Sequence, residues 1–229
     1  MSQENLTKNI FSLSIPVLAM DIVIFTVYKG TLCLIMNQRT EDGSEKGKYI
    51  LPGGVLRSGV SLEQNFDNIL YNRTGIKGVY KEQLYTFGEV DRDPRGHVIS
   101  VTYYALISSE LFLKNVDLTK IHILDYSKID EIQIGYDHKK IITYAKQRLD
   151  WKLEYTNIVK NILSTEFTLS QMQGVYETIL GRKLDKRNFR KKISSLNILK
   201  ETGKLDKSTN RPAMLYSFTD KELKIVGIL

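Results

Sequence analysis

The stretch that decides the fold is GGVLRSGVSLEQNFDNILYNRTGI, which covers residues 53–76. Ser61 followed three residues later by Gln64 forms a capping box, which predicts that a helix begins here. Apolar side chains then recur at the spacing of one helix face: Leu62, Phe66, Ile69 and Leu70. Gly75 follows as a typical helix-ending residue. The stretch is therefore predicted to contain a glycine turn, a loop and one amphipathic helix.

Strand-like runs surround this helix. Before it, VLAMDIVIFTVYKG and TLCLIMNQR are apolar and β-branched runs that meet at Lys29-Gly30, which predicts a hairpin. After it, QLYTFGEV and HVISVTYYALI predict two further strands, the second suited to the centre of a sheet. A helical pattern from Tyr136 to Leu149 closes this part of the chain. Cys33 is the one cysteine, and its place in the run LCLIM favours a buried strand residue over a nucleophile.

Charge is divided unevenly along the 229 residues. Residues 1–150 hold 18 Lys and Arg against 18 Asp and Glu, whereas residues 151–229 hold 15 against 8, so the net charge of +7 arises in the last third. Such asymmetry indicates a neutral module joined to one that meets a polyanion, with a solvated basic surface as the plainer alternative. Because no apolar run resembles a membrane span or a signal peptide, we expect a cytoplasmic protein without a membrane partner.

The last third has the pattern of a winged helix-turn-helix. Helical spacings occur in YTNIVKNIL and QMQGVYETIL, and Thr168 with Gln171 supplies a second capping box. In LDKRNFRKKISSLNIL, Asp185 is the predicted N-cap, and Leu184 and Phe189 have the spacing of a hydrophobic staple. Two strands joined by a polar loop are predicted in NILKETGKLDKSTNRPAMLYSF, as the wing of such a domain requires.

The helix predicted after Asp185 has a basic side. Phe189 and Ile193 face the core, whereas at 100° per residue Arg187 and Lys191 point the opposite way. Arginine, lysine and asparagine reach phosphates and base edges, and the major groove of DNA accepts a helix. The alternative is a small helical domain that docks on the first module and has a solvated basic face. The candidate DNA-binding residues are Thr168, Ser170, Gln171, Lys186, Arg187, Asn188, Arg190, Lys191, Lys204 and Arg211.

Residues 53–76 resemble the Nudix box, whose pattern is G-x5-E-x7-R-E-U-x-E-E-x-G-U with U an aliphatic residue. Both glycines and both aliphatic positions match, but the acidic positions do not. In hydrolases of this family the last three glutamates hold magnesium, and here these positions are Ile69, Asn72 and Arg73. Magnesium needs hard oxygen ligands in a near-octahedral array. The resemblance therefore implies a domain with no metal site, no cofactor and no hydrolase activity.

Two further segments are similar to the Nudix-related transcriptional regulators. FGEVDRDPRGHVISVTYYALI resembles a segment of ADP-ribose pyrophosphatases and their regulatory relatives, and FTLSQMQGVYETILGRKLDKRNFRKK resembles the helix-turn-helix of the regulators. The resemblance implies an α+β fold, in which a Nudix-like α/β/α sandwich with a mixed sheet (residues 1–150) precedes a winged helix-turn-helix domain (residues 151–229). It also implies a homodimeric repressor that binds pseudo-palindromic double-stranded operator DNA and changes its affinity when a small effector occupies the first domain.

The class of effector stays open, since it is ADP-ribose in one branch of the family and a sugar such as arabinose in another. A phosphate-bearing ligand predicts a cleft rich in arginine, for which the chain offers Arg39, Arg57, Arg73, Arg92 and Arg95. A free sugar predicts paired carboxylates and aromatic rings, for which it offers Asp91, Asp93, Tyr49, Tyr103 and Tyr104. Because the acidic positions of the Nudix box are all lost, the sequence slightly favours a sugar as the effector. The candidate effector-binding residues are Arg39, Arg57, Arg73, Asp91, Arg92, Asp93 and Arg95.

Alternatives from other classes remain. Arg73 either places a guanidinium where magnesium would screen a phosphate, or reaches solvent or pairs with an acid. A Nudix hydrolase of ADP-ribose-like nucleoside diphosphate derivatives would need non-standard metal ligands such as Glu89, Asp91 and Asp93. The segment DRDPRGH, which contains two of these acids, is also an ordinary turn sequence. A protein-interaction module with a structural winged helix would show neither DNA binding nor turnover.

Overall fold

A computed structural model describes residues 15–115, 118, 119, 121–208, 211–220 and 222–228. The expectation of a cytoplasmic protein rests partly on the N-terminal segment, of which residues 1–14 lie outside the described residues. In the described part of the chain, no helix has the length and apolar character that crossing a membrane requires.

A mixed sheet forms the centre of the first part of the chain, with seven strands among the described residues. The strands are β1 (Val17–Tyr28), β2 (Thr31–Gln38), β3 (Tyr49–Ile50), β4 (Gly53–Val55), β5 (Tyr80–Phe87), β6 (Val98–Leu106) and β7 (His122–Asp125). Their order is β3-β2-β1-β6-β5, with β4 paired to β1 and β7 paired to β2. β1 and β6 run parallel and the other pairs run antiparallel. The predicted hairpin at Lys29-Gly30 is confirmed as the turn between β1 and β2.

Helices cover both faces of this sheet: α1 (Leu62–Thr74), α2 (Ser109–Asn115) and α3 (His138–Tyr155). On one face, Phe66 of α1 and Phe112 of α2 share a buried cluster with Ile22 of β1. On the other face, Ile141 of α3 shares a second buried cluster with Phe25 of β1. Alternate β1 side chains thus enter opposite cores, as the period of a strand requires. The predicted α/β/α sandwich with a mixed sheet is confirmed.

The caps of α1 follow the prediction. Ser61 Oγ accepts from the Gln64 N–H at 3.2 Å, and the Gln64 side chain accepts from the Ser61 N–H at 3.2 Å. At the other end Gly75 has φ +77°, in the left-handed region that favours glycine, and its N–H donates to Tyr71 O. These local signals fix where the helix begins and ends, and its C-terminal end lies beside β4, where Arg73 Nε donates to Gly53 O.

The last part of the chain is a winged helix. A 3-10 turn (Ile158–Asn161) precedes α4 (Leu169–Leu180), α5 (Lys186–Ser195) and the antiparallel wing strands β8 (Leu199–Asp206) and β9 (Ala213–Phe218). Phe167, just before α4, pairs with Tyr216 of β9 through two backbone hydrogen bonds of 3.0 and 2.8 Å. The predicted winged helix-turn-helix is confirmed, although its first predicted helix is this 3-10 turn.

The two parts share one helix and one core. The expected boundary between residues 150 and 151 lies inside α3, which continues to Tyr155. Leu149 and Leu153 of α3 belong to the same buried cluster as Ile158 and Tyr176 of the winged helix. The tail of the chain pairs with the end of α3, since the Val226 N–H donates to Tyr155 O at 2.8 Å. The apolar stripe of α3 therefore packs against both parts of the molecule.

Candidate functional site

A cavity of about 980 Å³ opens where the start of β1, the end of β2, β4 and the C-terminal end of α1 meet. The turn before β6 and the first residues of α3 complete its wall. Pockets that bind small molecules commonly have volumes of about 300–1,000 Å³. The cavity is therefore large enough to enclose a small-molecule ligand.

The charged side chains of the cavity wall are mostly paired. Four arginines line it: Arg39, Arg73, Arg92 and Arg95. Three acids line it: Asp21, Glu41 and Asp93. Each acid forms a salt bridge with one arginine of the wall, namely Asp21 with Arg92, Glu41 with Arg39, and Asp93 with Arg95. Within the described residues Arg73 forms no salt bridge, so the wall has one uncompensated positive charge.

Arg92 ties three elements together at the floor of the cavity. Its side chain is 4% exposed, and Nη2 donates to Asp137 Oδ1 at 2.7 Å and to Asp21 Oδ2 at 3.2 Å. Ser100 of β6 donates to the same oxygen of Asp21 at 2.6 Å. Gly53 lies so close that a Cβ there would stand 2.5 Å from Asp21 Oδ1. The buried guanidinium thus fixes β1, the turn before β6 and the start of α3 relative to one another.

His138, the first residue of α3, is buried beneath the cavity. The Leu51 N–H donates to its Nδ1 at 2.9 Å, so the neutral ring has its proton on Nε2, which lies 3.6 Å from Asp21 Oδ1. Burial lowers the pKa of His138, and the carboxylates of Asp21 and Asp137 offset this effect in part. The ring is therefore neutral near pH 7.

Asp93, Arg95 and Tyr136 form one side of the cavity. Arg95 Nε and Nη2 donate to the two oxygens of Asp93 at 2.9 and 2.7 Å, and the guanidinium carbon lies 5.4 Å from the centre of the Tyr136 ring. Burial raises the pKa of Asp93, but the hydrogen bonds from Arg95 outweigh it and leave the pKa below its ordinary value. The Asp93 side chain is 5% exposed, whereas that of Arg95 is 60% exposed. A cation is thus held at the cavity mouth against an aromatic ring.

Arg73 lies at the rim, at the C-terminal end of α1. Its Nε donates to the Gly53 carbonyl at 3.3 Å, and its own carbonyl accepts from the Asn37 side chain at 3.3 Å. The residue is exposed. A guanidinium presents five N–H donors in a fixed fork, so most of its donors remain directed toward the cavity mouth and solvent.

The Nudix-box positions do not fit magnesium. Ile69 is 8% exposed within the core, and a Cβ on Gly54 would lie 3.8 Å from it. Asn72 and Arg73 line the cavity but supply an amide and a cation, and Asp67 of the same helix pairs with Lys81 at 2.8 Å. Among the described residues no three His, Cys, Asp or Glu side chains are grouped as ligands of a metal ion. The side of α1 that would hold magnesium is partly core and partly positive.

Five of the seven residues predicted to bind an effector line the cavity: Arg39, Arg73, Arg92, Asp93 and Arg95. The structure does not bring Arg57 and Asp91 there, since both are exposed on loops outside the wall. The three tyrosines considered for a sugar also lie elsewhere: Tyr49, Tyr103 and Tyr104. Tyr104 is fully buried and donates to Glu82 at 3.1 Å. The arginines are therefore assembled, whereas the paired carboxylates and rings are not.

Several residues of the cavity were missed by the sequence reasoning. Asp21 gave a signal, because a lone acid inside the apolar run VLAMDIVIFTVY needs a buried partner. Tyr136 and His138 gave none, since their place in the wall depends on where α3 begins. His97 and His122, to which the sequence assigned no role, also line the cavity.

The helix α5 presents a basic edge to solvent. Asp185 Oδ1 accepts from the Asn188 N–H at 2.7 Å, as the predicted N-cap, and Phe189 and Ile193 are buried. Four of the predicted DNA-binding residues are exposed on this helix: Lys186, Arg187, Asn188 and Lys191, of which Arg187 and Lys191 lie opposite the buried side. In the described part of the chain, none of the three cations forms a salt bridge. This edge therefore carries uncompensated positive charge into solvent.

Other predicted DNA-binding residues have partners inside the winged helix. Arg190 Nη2 donates to Ser170 Oγ at 3.1 Å, which links α5 to the start of α4. Lys204 of β8 forms a salt bridge of 2.8 Å with Glu166. Arg211 is exposed beside the wing. Arg190 and Lys204 are thus already engaged by partners within the winged helix.

Thr168 and Gln171 serve the cap of α4. The Thr168 hydroxyl accepts from the Gln171 N–H at 3.1 Å, and the Gln171 side chain accepts from the Thr168 N–H at 2.7 Å. Thr168 is 5% exposed, whereas Gln171 is exposed. The capping box is confirmed, and it leaves the Thr168 hydroxyl engaged within the protein.

Glu177 of α4 holds the turn that leads into α5. Its Oε1 accepts from the Leu184 N–H at 3.0 Å and from Gln173 Nε2 at 2.9 Å, and its Oε2 pairs with Lys183 at 2.9 Å. These hydrogen bonds, led by that of the Leu184 N–H, lower the pKa of Glu177 to about 2. An ionised carboxylate thus fixes the direction in which α5 leaves α4.

Comparisons with known proteins agree with both parts of the molecule. The family model of the NrtR DNA-binding winged helix domain matches residues 159–218. The ADPR responsive transcriptional repressor NtrR of Acinetobacter baylyi is 31% identical over 210 residues, which are 89% of this chain and 82% of that protein.

Two solved structures from Shewanella oneidensis are also similar. NrtR complexed with a 27mer DNA has a TM-score of 0.80 at 30% identity and covers 88% of this chain and 93% of its own. The Nudix domain of NrtR complexed with ADP ribose has a TM-score of 0.55 at 28% identity and covers 65% of this chain and 99% of its own. A Nudix-like sandwich joined to a winged helix, with similarity along most of the chain, shows that this protein belongs to the NrtR family of Nudix-related transcriptional regulators.

Proposed function

We propose that this protein is an effector-responsive transcriptional repressor, whose Nudix-like cavity binds an ADP-ribose-type ligand and whose winged helix binds operator DNA. The observation that carries the proposal is the presence in one chain of an arginine-lined cavity and an uncompensated basic helix. The two are connected by α3, which begins at the cavity with His138 and packs through Leu153 against the winged helix. This arrangement suits a protein that reads a small molecule at one end and DNA at the other.

The cavity favours a phosphate-bearing effector, whereas the sequence alone slightly favoured a free sugar. Arg73 and Arg95 present exposed guanidiniums at its rim, and the ring of Tyr136 lies beside Arg95. Asp93 reaches the cavity, but Arg95 occupies both of its oxygens, and Asp91 lies outside. ADP-ribose offers a diphosphate for arginine and an aromatic base for a tyrosine ring. The names of the Acinetobacter baylyi relative and of the Shewanella oneidensis Nudix complex support the same class of ligand.

The ligand is expected to be bound and not hydrolysed. Ile69, Asn72 and Arg73 replace the acids that would hold magnesium, and the Ile69 side chain packs in the core. Without a bound metal there is no Lewis acid to activate water or to screen the diphosphate. The Arg73 guanidinium supplies positive charge near that place and cannot deliver a hydroxide. A sensor gains from this loss, because its signal persists as long as the ligand is present.

The DNA complex is expected to place α5 in the major groove. Arg187 and Lys191 on its exposed side have the reach and chemistry for base edges or phosphates, and we expect Lys204 and Arg211 of the wing to contact the flanking backbone. A homodimer would present two such helices and would read a pseudo-palindromic operator with half-sites about one helical turn or a multiple apart.

Fluorescence anisotropy with the full chain tests the proposal. A labelled duplex from upstream of the protein's own operon should bind with an affinity that falls steeply with salt, and a scrambled duplex of equal length should bind less tightly. Adding ADP-ribose should change the affinity for the operator, whereas arabinose should not. Binding that is absent, or independent of salt, would refute the DNA-binding function. A response to arabinose and not to ADP-ribose would refute the choice of effector.

A hydrolysis assay separates the regulator from the enzyme. We expect ADP-ribose to remain intact when it is incubated with the protein and magnesium or manganese, and its binding to persist in excess EDTA. Metal-dependent release of AMP that is lost on changing Glu89 or Asp93 to alanine would favour the hydrolase.

A further inference from the structure

The loop between β2 and β3 joins the cavity wall to the start of α3. Its first residues, Arg39 and Glu41, line the cavity. The loop is closed on itself by backbone hydrogen bonds, from Arg39 N–H to Lys48 O and from Gly47 N–H to Arg39 O, both of 2.9 Å. A displacement at Arg39 is therefore passed on to the rest of the loop.

Glu45, in the middle of this loop, holds Tyr136, which lies two residues before α3. Its Oε2 accepts from the Tyr136 N–H at 2.8 Å, and Lys48 Nζ lies 3.1 Å from its Oε1. Gly135 makes this approach possible, because a Cβ there would stand 2.7 Å from Glu45 Oε2. The Glu45 side chain is 13% exposed and does not belong to the cavity wall. Its contact thus lies behind the wall, out of reach of a ligand.

Tyr136 is held in a backbone conformation that it would not adopt by itself. Its φ of +56° lies in the left-handed region, which is unfavourable for a bulky residue with a Cβ. Its ring lines the cavity and lies 5.1 Å from the ring of His138. The next residue, Asp137, binds Arg92 on the cavity floor. The segment just before α3 is therefore strained, and the hydrogen bond from the Tyr136 N–H to Glu45 is one of the contacts that hold it in place.

The other end of α3 lies in the core of the winged helix. Leu149 and Leu153 share a buried cluster with Met172 and Tyr176 of α4. An α-helix transmits a displacement of its first turn along its axis, since its backbone hydrogen bonds leave it little internal freedom. A change at Tyr136 thus reaches the domain that carries α5.

We propose that the hydrogen bond between Glu45 and Tyr136 couples occupancy of the cavity to the position of the DNA-binding domain. The inference rests on the proposed function, because it assumes an effector in the cavity and DNA on α5. A ligand that contacts Arg39 or the Tyr136 ring shifts the loop relative to α3 and changes this contact. The ligand then favours one of two positions of α3, as differential affinity for two states requires.

The ionisation of Glu45 agrees with this geometry. Burial raises the pKa of Glu45, but the Tyr136 N–H and the ammonium of Lys48 outweigh it and leave the pKa below its ordinary value. The group is therefore a carboxylate near pH 7, and charge-assisted hydrogen bonds are stronger than neutral ones.

Three variants of the full chain test the coupling, with ADP-ribose and the operator duplex as probes. Glu45→Ala removes the acceptor, Gly135→Ala displaces the carboxylate from the other side, and Glu45→Gln keeps an acceptor oxygen without the charge. Glu131→Ala removes an exposed carboxylate from the segment before α3 and is the matched control. ADP-ribose affinity is measured by calorimetry, and operator affinity by anisotropy with and without ADP-ribose.

In the wild type and in Glu131→Ala, we expect ADP-ribose to change operator affinity by about 5- to 150-fold, the usual range of allosteric coupling. In Glu45→Ala and Gly135→Ala the change should fall below about twofold, while each ligand alone binds within about threefold of wild type, as the loss of coupling without loss of either site implies. Glu45→Gln should retain an intermediate response.

Two results overturn the inference while leaving the proposed function intact. The first is a wild-type response in Glu45→Ala. The second is a loss of ADP-ribose binding by this variant, which would make Glu45 a support of the cavity and not a link. A wild type that does not bind the operator, or does not respond to ADP-ribose, instead refutes the proposed function, and the inference falls with it.

Discussion

The charged groups beneath the cavity and those on α5 differ both in burial and in salt-bridge pairing. Below the cavity, Arg92 is 4% exposed and its donors reach Asp21 and Asp137. On α5, Arg187 and Lys191 are exposed and form no salt bridge within the described residues. Buried charges must be paired because desolvation is costly, whereas exposed charges stay hydrated until a partner arrives. Paired charges here hold the architecture, whereas the unpaired ones lie on the surfaces that we propose contact DNA and the effector, and Arg73 at the cavity rim is one of them.

Among the variants that test this comparison, replacement of Arg92 should have the largest effect. Arg92→Ala should lower the free energy of unfolding by about 3–5 kcal/mol, because it leaves the buried carboxylate of Asp21 and the half-buried carboxylate of Asp137 without a counter-charge. Urea denaturation measures the loss. Lys140→Ala, which breaks the exposed pair with Glu89, should leave the midpoint unchanged. A near-neutral Arg92→Ala would mean that the floor of the cavity is hydrated and the pairing is not structural.

Arg73 tests whether an uncompensated cavity charge serves the ligand. Arg73→Ala should weaken ADP-ribose binding by about 1.5–3 kcal/mol, the usual worth of a hydrogen bond to a charged group. Arg57→Ala removes the same charge outside the cavity and should bind normally. Calorimetry with the two variants measures the difference. Equal affinities would mean that Arg73, like Arg57, faces solvent and does not contact the ligand.

On α5, the expected loss is in DNA affinity and not in stability. Arg187→Ala should weaken operator binding by about 1–3 kcal/mol if the side chain reads a base, with an unchanged melting temperature because the side chain is exposed. A phosphate contact would instead weaken operator and scrambled duplexes alike and reduce the salt slope by about one. Lys77→Ala, an exposed cation of the first domain, is the control, and a similar loss there would mean that net charge alone drives binding.

His138 extends the comparison to the pH dependence of stability, because it is a buried titratable group beneath the cavity. Burial lowers its pKa in the folded protein, so between the folded pKa and the ordinary value of about 6.5 the unfolded chain binds a proton that the folded chain does not. The contribution of His138 to the free energy of unfolding is therefore fully present above about pH 6.5. It falls as the pH drops through this window, by at most about 1.4 kcal/mol per pH unit for one group.

Thermal or urea unfolding between pH 5 and 7 measures this effect, above the range in which most carboxylates titrate. His138→Gln should flatten the dependence, and the exposed His97→Gln should preserve it. An unchanged slope in His138→Gln would assign the dependence to other groups.

Local signals in the sequence were sufficient for the helices that carry the site. The caps at Ser61, Gly75, Thr168 and Asp185 all lie where short-range patterns place them, because each depends on residues only a few positions away. The winged helix could be predicted for the same reason. Four short elements, α2, β3, β4 and β7, were not predicted, since none is long enough to show a period; β4 lies where the sequence predicted a glycine turn.

The site itself was only partly predictable, because its contacts are long-range. Arg92 and Asp21 are separated by 71 positions, so no spacing rule could pair them, although Asp21 is a lone acid inside an apolar run. The arginines of the cavity could be named, but the choice between Arg57 and Arg73 depends on where α1 ends relative to β4. The boundary at residue 150 was placed by composition, whereas the apolar stripe of α3 continues through Leu153.

The buried cluster that crosses the domain junction gives the two modules one continuous core. Leu34 of the sheet, Leu149 of α3 and Phe189 of α5 belong to this cluster, so separating the modules would expose apolar surface on both. Domains joined through a small polar interface can melt independently, but a shared core favours a single cooperative transition. Any small molecule that binds the cavity then protects the DNA-binding half from unfolding as well, through mass action alone. Under the proposed function, the effector would change not only the affinity of the protein for its operator but also the lifetime of its folded state.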